Sequence, residues 1–210
     1  MIGPYTRTVY EHLQQAVERD LGDGFEFLVS YPREERTGAP GGGGRCPVEA
    51  RLAGRRFARF HLDIGLGDAV LDQPDWVAGS SLLDFAGIPP ARVALYPPAQ
   101  QFAEKVHAYT FPWQDRDHTR VKDLVDLVLL VDSGLLEPDH VVRALGATFE
   151  TRKTHPLPPR LPEPPPAWEE SYADLAHELK LSALTLHAAH AHLDAYWQRW
   201  GLGQGEEANR

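Results

Sequence analysis

Apolar residues recur every three to four positions over Thr8–Leu21 (Val9, Leu13, Ala16, Val17), which gathers them on one helix face, and Gly22 stops the run. Phe25–Val29 alternates instead, as a half-buried strand does. A loop is expected over Pro32–Gly44, ending in four consecutive glycines. Beyond it, Cys46–Ala53 and Arg55–Ile64 form a predicted hairpin about Gly54. In its second arm, Ala58, Phe60, Leu62 and Ile64 alternate with Phe57, Arg59, His61 and Asp63. Successive strand side chains point to opposite faces, so the first set is expected to form a core face. The second set then projects away from it, and Asp63 closes the strand on that polar face, just before Gly65 and Gly67. A carboxylate there either caps the strand end or reaches a metal or ligand.

The period changes downstream. After a short extended piece, Arg92–Tyr96, the pair Pro97-Pro98 opens a helix from Ala99 to about Thr110. Phe102, Val106 and Tyr109 form its buried stripe, and Lys105 sits one residue off it, where a packed stem can carry an ammonium into a cleft. The loop Phe111–His118 is polar and aromatic. A strongly apolar helix follows over Thr119–Asp132, stopped by Ser133-Gly134. Its charged end offers Arg120 with Asp123 at i,i+3 and Lys122 with Asp126 one turn apart. Such pairs account for the charges but not for why Asp123 and Asp126 interrupt so hydrophobic a helix. A further helix is expected over Glu137–Phe149. Seven prolines between Pro156 and Pro166 then exclude helix and imply an extended strap. A single helix from Trp168 to Trp200 is expected last, with Tyr172, Leu175, Leu179, Leu186, Leu193, Trp197 and Trp200 as its packing stripe. The tail from Gly201 to Arg210 is expected to be loose.

Composition narrows the class. Of 210 residues, 42% are hydrophobic and 24% charged, ordinary globular values that exclude wholesale disorder. The amino terminus has no apolar core of a secretory signal, and no run approaches the length of a membrane span. One cysteine, Cys46, excludes a disulfide framework. A cytoplasmic protein is the expectation. A net charge of −9 argues against a general nucleic-acid coat. Yet Arg45, Arg51, Arg55, Arg56 and Arg59 stand against the single acid Glu49 between Arg45 and His61. That stretch is either a solvated strand face or a surface for a bounded polyanion such as a nucleotide or an RNA end.

Familiar motifs are mostly missing. The glycine run lacks the Lys-Ser/Thr of a P-loop and leads into a strand rather than a helix. No G-x-S-x-G elbow or dinucleotide-binding glycine pattern occurs. His187, His190, His192 and Asp194 share a helix and invite a metal-hydrolase reading, but no glutamate supplies a general base.

Three segments in order carry more. "LDIGLGD" (62–68), "QFAEKVHAY" (101–109) and "RVKDLVDLVLL" (120–130) resemble the AbiEii/AbiGii family of nucleotidyltransferase-like toxins. The likeness runs on through "TFETR" (148–152) and the proline-rich strap, covering nearly the whole chain. It implies an α+β fold, a minimal nucleotidyltransferase-like mixed sheet with helices and a helical C-terminal region. Residues 1–96 would then be the remnant of the sheet domain and 97–152 the helical part with the Lys and Asp motifs. The strap (153–167), the terminal helix (168–200) and the tail (201–210) complete it. The resemblance implies a toxin of abortive-infection or toxin–antitoxin systems, with metal-dependent transfer from an NTP to an RNA acceptor such as tRNA, Mg²⁺ as cofactor and a cognate antitoxin as partner. By that likeness Lys105 engages the triphosphate, Asp123 is the late essential acid, Asp63 is a metal carboxylate, and Arg120 and Lys122 are auxiliary phosphate contacts. Carboxylates to hold a divalent metal and cations to neutralise pyrophosphate suit such chemistry. Asp63, Lys105 and Asp123 are expected to converge on one pocket. The family's first motif, a Gly-Ser turn followed by Asp-x-Asp, does not precede Asp63: "YTRTVYEH" has no such pair, and "GSSLLD" (79–84) comes too late. The expectation is a chain that begins after that motif or has lost it, an incomplete catalyst, or else a non-catalytic module that binds nucleotide, RNA or an antitoxin.

Overall fold

The computed structural model describes residues 4–32, 40–82, 84–112 and 120–202. Residues 33–39 of the expected glycine-rich loop, 113–118 of the expected aromatic loop and 203–210 of the tail lie outside the described residues. The fold is α+β, with antiparallel sheets first and a largely helical C-terminal region after them. The chain divides into two compact units, Met1–Asp68 and Ala69–Arg210.

In the first unit, α1 (Pro4–Val17) precedes β1 (Phe25–Val29), β2 (Gly43–Leu52) and β3 (Arg55–Gly65), arranged β1-β2-β3. The hairpin turns at Gly54, as the alternation predicts, and β2 begins inside the glycine run. There a Cβ on Gly43 would collide with the carbonyl oxygen of Ile64, so the close pairing of β2 with β3 requires glycine. Val29, Cys46 and Val48 are buried, with Tyr10 and Val17 of α1 and Ile64 of β3 packed on them. Tyr10 and Gln14 both donate to the Val29 carbonyl, at 3.3 and 2.8 Å.

The expected core face of β3 is only partly covered. Phe60 and Leu62 lie opposite Val48 and Cys46 in the register, so they share the apolar face. Even so, they are 45% and 36% exposed. Alternation sets which side chains share a face; the helix sets how much of that face is buried. Helix α1 reaches β1, β2 and Ile64, and leaves the middle of β3 open.

The second unit opens with an antiparallel pair, β4 (Asp75–Ala78) and β5 (Arg92–Leu95), of which only β5 was evident as an extended piece. Three helices follow: α2 (Pro98–Thr110), α3 (Val121–Asp132) and α4 (Pro138–Arg152). Phe102, Val106 and Tyr109 of α2 are buried as expected, against Leu124, Leu127 and Val128 of α3 and Val141 and Leu145 of α4.

The expected 33-residue terminal helix is two helices, α5 (Glu169–Leu179) and α6 (Leu186–Arg199). Lys180 adopts the left-handed conformation that ends α5, and Thr185 starts α6 by accepting from the Ala188 N–H at 3.2 Å. Between them Leu181 and Ala183 are buried, and the Tyr172 hydroxyl donates to the Ala183 carbonyl at 2.9 Å. The apolar spacing masked this break, because Leu179 and Leu186 are seven residues apart and stay in phase across it.

The proline-rich strap is extended, and it is fastened by its carbonyls. Proline has no N–H to give but keeps its acceptor. Tyr109 donates to the Pro162 carbonyl at 2.6 Å, Trp197 to that of Pro159 at 3.2 Å and His190 to that of Leu161 at 3.2 Å. Among the described residues, no helix is long and apolar enough to cross a membrane.

Candidate functional site

The junction of α2 and α3 concentrates the charges that the sequence places inside apolar helices. Position 105 borders the buried stripe of α2, so the Lys105 stem packs while its ammonium, 30% exposed, emerges toward α3. There it lies 3.1 Å from Asp123 Oδ1 and 2.6 Å from Asp126 Oδ2. Arg120, at the start of α3, reaches the other oxygen of Asp123 at 3.2 Å. Asp123 is thus a buried carboxylate, 7% exposed, with one oxygen on a lysine and the other on an arginine. Burial alone would lower the Lys105 pKa. The hydrogen bond that Lys105 donates to Asp126 and the charges of Asp123 and Asp126 outweigh that and hold it above the ordinary lysine value.

The structure therefore brings Lys105, Arg120 and Asp123 together. It adds Asp126, which sequence reasoning paired with Lys122 instead. A Lys four residues before an Asp is the weaker orientation for a helical pair, and the ammonium of the neighbouring helix takes the carboxylate. Lys122 is exposed.

Asp63 belongs to the first unit. As predicted, it stands near the end of β3, 48% exposed and opposite Arg45 in the register. Arg45 grips it with both arms of its guanidinium, Nε to Oδ1 at 2.6 Å and Nη2 to Oδ2 at 2.7 Å. The other hairpin arginines are partly consumed too: Arg51 and Arg59 both donate to Glu49, at 2.9 and 2.9–3.0 Å. The hydrogen bonds from Arg59 and then Arg51 hold the Glu49 carboxyl below its usual range.

The donor set does not suit a divalent metal among the described residues. No three His, Cys, Asp or Glu side chains gather there. The two carboxylates expected to act, Asp63 and Asp123, each have both oxygens on cations. The carboxyl-terminal histidines also diverge: His190 bonds the strap and His192 the Asp132 carboxylate at 2.9 Å.

A second polar network lies along α2, and sequence reasoning missed it. Gln100 donates to the Thr148 hydroxyl at 3.0 Å, and Glu104 accepts from the Tyr96 hydroxyl at 2.6 Å and faces Arg152 at 3.8 Å. Beyond it, His107 Nε2 and His155 Nδ1 meet the Thr154 hydroxyl at 2.7 and 3.0 Å, and His155 Nε2 meets the Thr110 hydroxyl at 2.8 Å. Thr110 already donates to the Val106 carbonyl, so it accepts from His155. Arg152 can only donate, so His107 Nδ1 accepts from it at 3.4 Å and His107 Nε2 donates to Thr154, which leaves the Thr154 proton for His155 Nδ1. Both imidazoles are therefore neutral. Burial, then the charges of Arg152 and His155, push His107 down to about 4, and burial lowers His155.

Fold and charge together define an α+β protein whose helical unit presents paired cations, braced by carboxylates, at one helix junction. The chain belongs to the AbiEii nucleotidyl transferase toxin family of type IV toxin–antitoxin systems, whose sequence profile matches residues 3–199. Membership implies use of an NTP and an antitoxin system around the protein. No curated protein matches the chain.

Proposed function

We propose that the α2–α3 junction receives the triphosphate of an NTP, and that the protein transfers a nucleotidyl group to an RNA acceptor such as tRNA. The observation that carries this is the Lys105 ammonium, half-buried yet reaching solvent beside Arg120. In nucleotidyl transfer an acceptor hydroxyl attacks the α-phosphorus and pyrophosphate departs, so cations beside the β- and γ-phosphates stabilise the charge that develops. Lys105 supplies a compact point charge, Arg120 a planar fork for phosphate oxygens, and Lys122 a further contact on the exposed side of α3. Asp123 orients both buried-side cations. A single charge pair at about 4 Å is worth roughly 4 kcal/mol of gross attraction at an effective dielectric of 20, enough to make loss of the lysine severe.

A metal-carboxylate role for Asp63 belongs to the same reading. Mg²⁺ accepts phosphate oxygens and water without a full protein cage, so it would arrive largely with the nucleotide. The described carboxylates do not form a donor set for it.

The test is incubation of the full chain with labelled NTPs, Mg²⁺ and total tRNA. Label transfer that Lys105→Ala abolishes is the expected result; transfer that survives the substitution overturns the role of Lys105. A second reading is favoured by the engagement of Asp63 and Asp123 with cations: a module that binds nucleotide, RNA or an antitoxin without turnover. Saturable NTP binding with no transfer would establish it.

A further inference from the structure

We propose that Asp126 is a positioning residue that occupies the Lys105 ammonium in the resting protein and competes with a triphosphate for it. The inference rests on the nucleotide-binding role of Lys105 and deepens it.

The two carboxylates around Lys105 are not equivalent. Asp123 is buried and held on both oxygens, so it anchors the lysine and the arginine to α3. Asp126 is the closer partner, at 2.6 Å against 3.1 Å, yet its side chain is 35% exposed where that of Asp123 is 9% exposed. The carboxylate nearest the ammonium is thus the one that faces water. An anion approaching Lys105 from solvent meets Asp126 first. The four groups, Lys105 and Arg120 against Asp123 and Asp126, sum to zero charge, so displacement of Asp126 leaves them with a net attraction for phosphate. Asp126 therefore sets how readily an uncompensated triphosphate enters. A plain α2–α3 salt bridge would act on stability alone.

The experiment measures binding of inorganic tripolyphosphate to the full chain in a chelating buffer at low salt, by calorimetry, for wild type, Asp126→Asn and Lys105→Ala. The exposed ion pair is a modest competitor, so Asp126→Asn is expected to bind about three- to fivefold more tightly than wild type. Equal or weaker binding by Asp126→Asn, with Lys105→Ala still defective, overturns the role of Asp126 and leaves that of Lys105 standing. Binding by Lys105→Ala as tight as that of wild type, or no binding by wild type at all, overturns both. Should Asp126→Asn fail to fold by circular dichroism, Asp126→Ser carries the same test.

Discussion

Helix α2 carries two polar networks, and they differ in how their charges are arranged. Toward α3, Lys105 stands between two carboxylates, one buried and one wet. Toward α4 and the strap, Gln100, Glu104 and His107 meet Thr148, Arg152 and Thr154 in contacts that are largely uncharged or enclosed. A directional chain of neutral imidazoles and hydroxyls gains its strength from being complete, because every donor already has its acceptor. Such a network fixes geometry. On the Lys105 side the ammonium stands nearer solvent, on carboxylates of which Asp126 is 35% exposed. One helix thus carries an enclosed network on one side and solvent-facing charges on the other.

Acid should break the fastening first, and this is the largest expected effect. The folded-state pKa of His107 is depressed, so the fold favours the neutral ring. The stability it contributes is present above the unfolded value of about 6.5 and is lost as pH falls toward about 4. A shift of that size corresponds to about 3 kcal/mol lost across the window. Urea unfolding at pH 7 and at pH 4.5 should register most of it, and His107→Gln should flatten the difference. An unchanged pH dependence in that variant would place the acid sensitivity elsewhere. Next in size, Gln100→Ala leaves the buried Thr148 hydroxyl without its donor and opens a gap in the core, at a cost of about 2 kcal/mol. Its affinity for tripolyphosphate should stay at the wild-type level. A matching loss of affinity would show that the two sides of α2 are not separate.

Much of this arrangement was legible, for reasons that particular residues make plain. The segments at 101–109 and 148–152 face each other: Glu104 faces Arg152, beside the bond from Gln100 to Thr148, and both helices space these residues by four. Two polar i,i+4 pairs, Gln100 with Glu104 and Thr148 with Arg152, were the available signal. Lys105 was found because its position borders a buried stripe, and Arg120 with Asp123 because they are i,i+3 neighbours. Asp126 escaped because its partner comes from another helix, which no spacing within α3 records. The break at Lys180 escaped because a left-handed C-cap is usually glycine, and here a lysine adopts it. On β3 the alternation gave the faces correctly, but the extent of cover depends on where α1 lies, and it spans Pro4–Val17 instead of Thr8–Leu21.

The smallest effect offers the finest cut between the networks. Lys122 is on α3, one position before the buried Asp123, yet it is exposed. Lys122→Ala should change stability by less than about 0.5 kcal/mol, as exposed substitutions away from caps and pairs generally do. If phosphate is held at this junction, removing the charge should still weaken tripolyphosphate binding by roughly two- to threefold, and added salt should erase the difference, because an exposed cation acts through screened attraction. A loss that persists in high salt would instead mean direct contact with the anion, and would move Lys122 from the rim of the site into it. No loss at any salt concentration would confine binding to Lys105 and Arg120, the two cations that Asp123 holds.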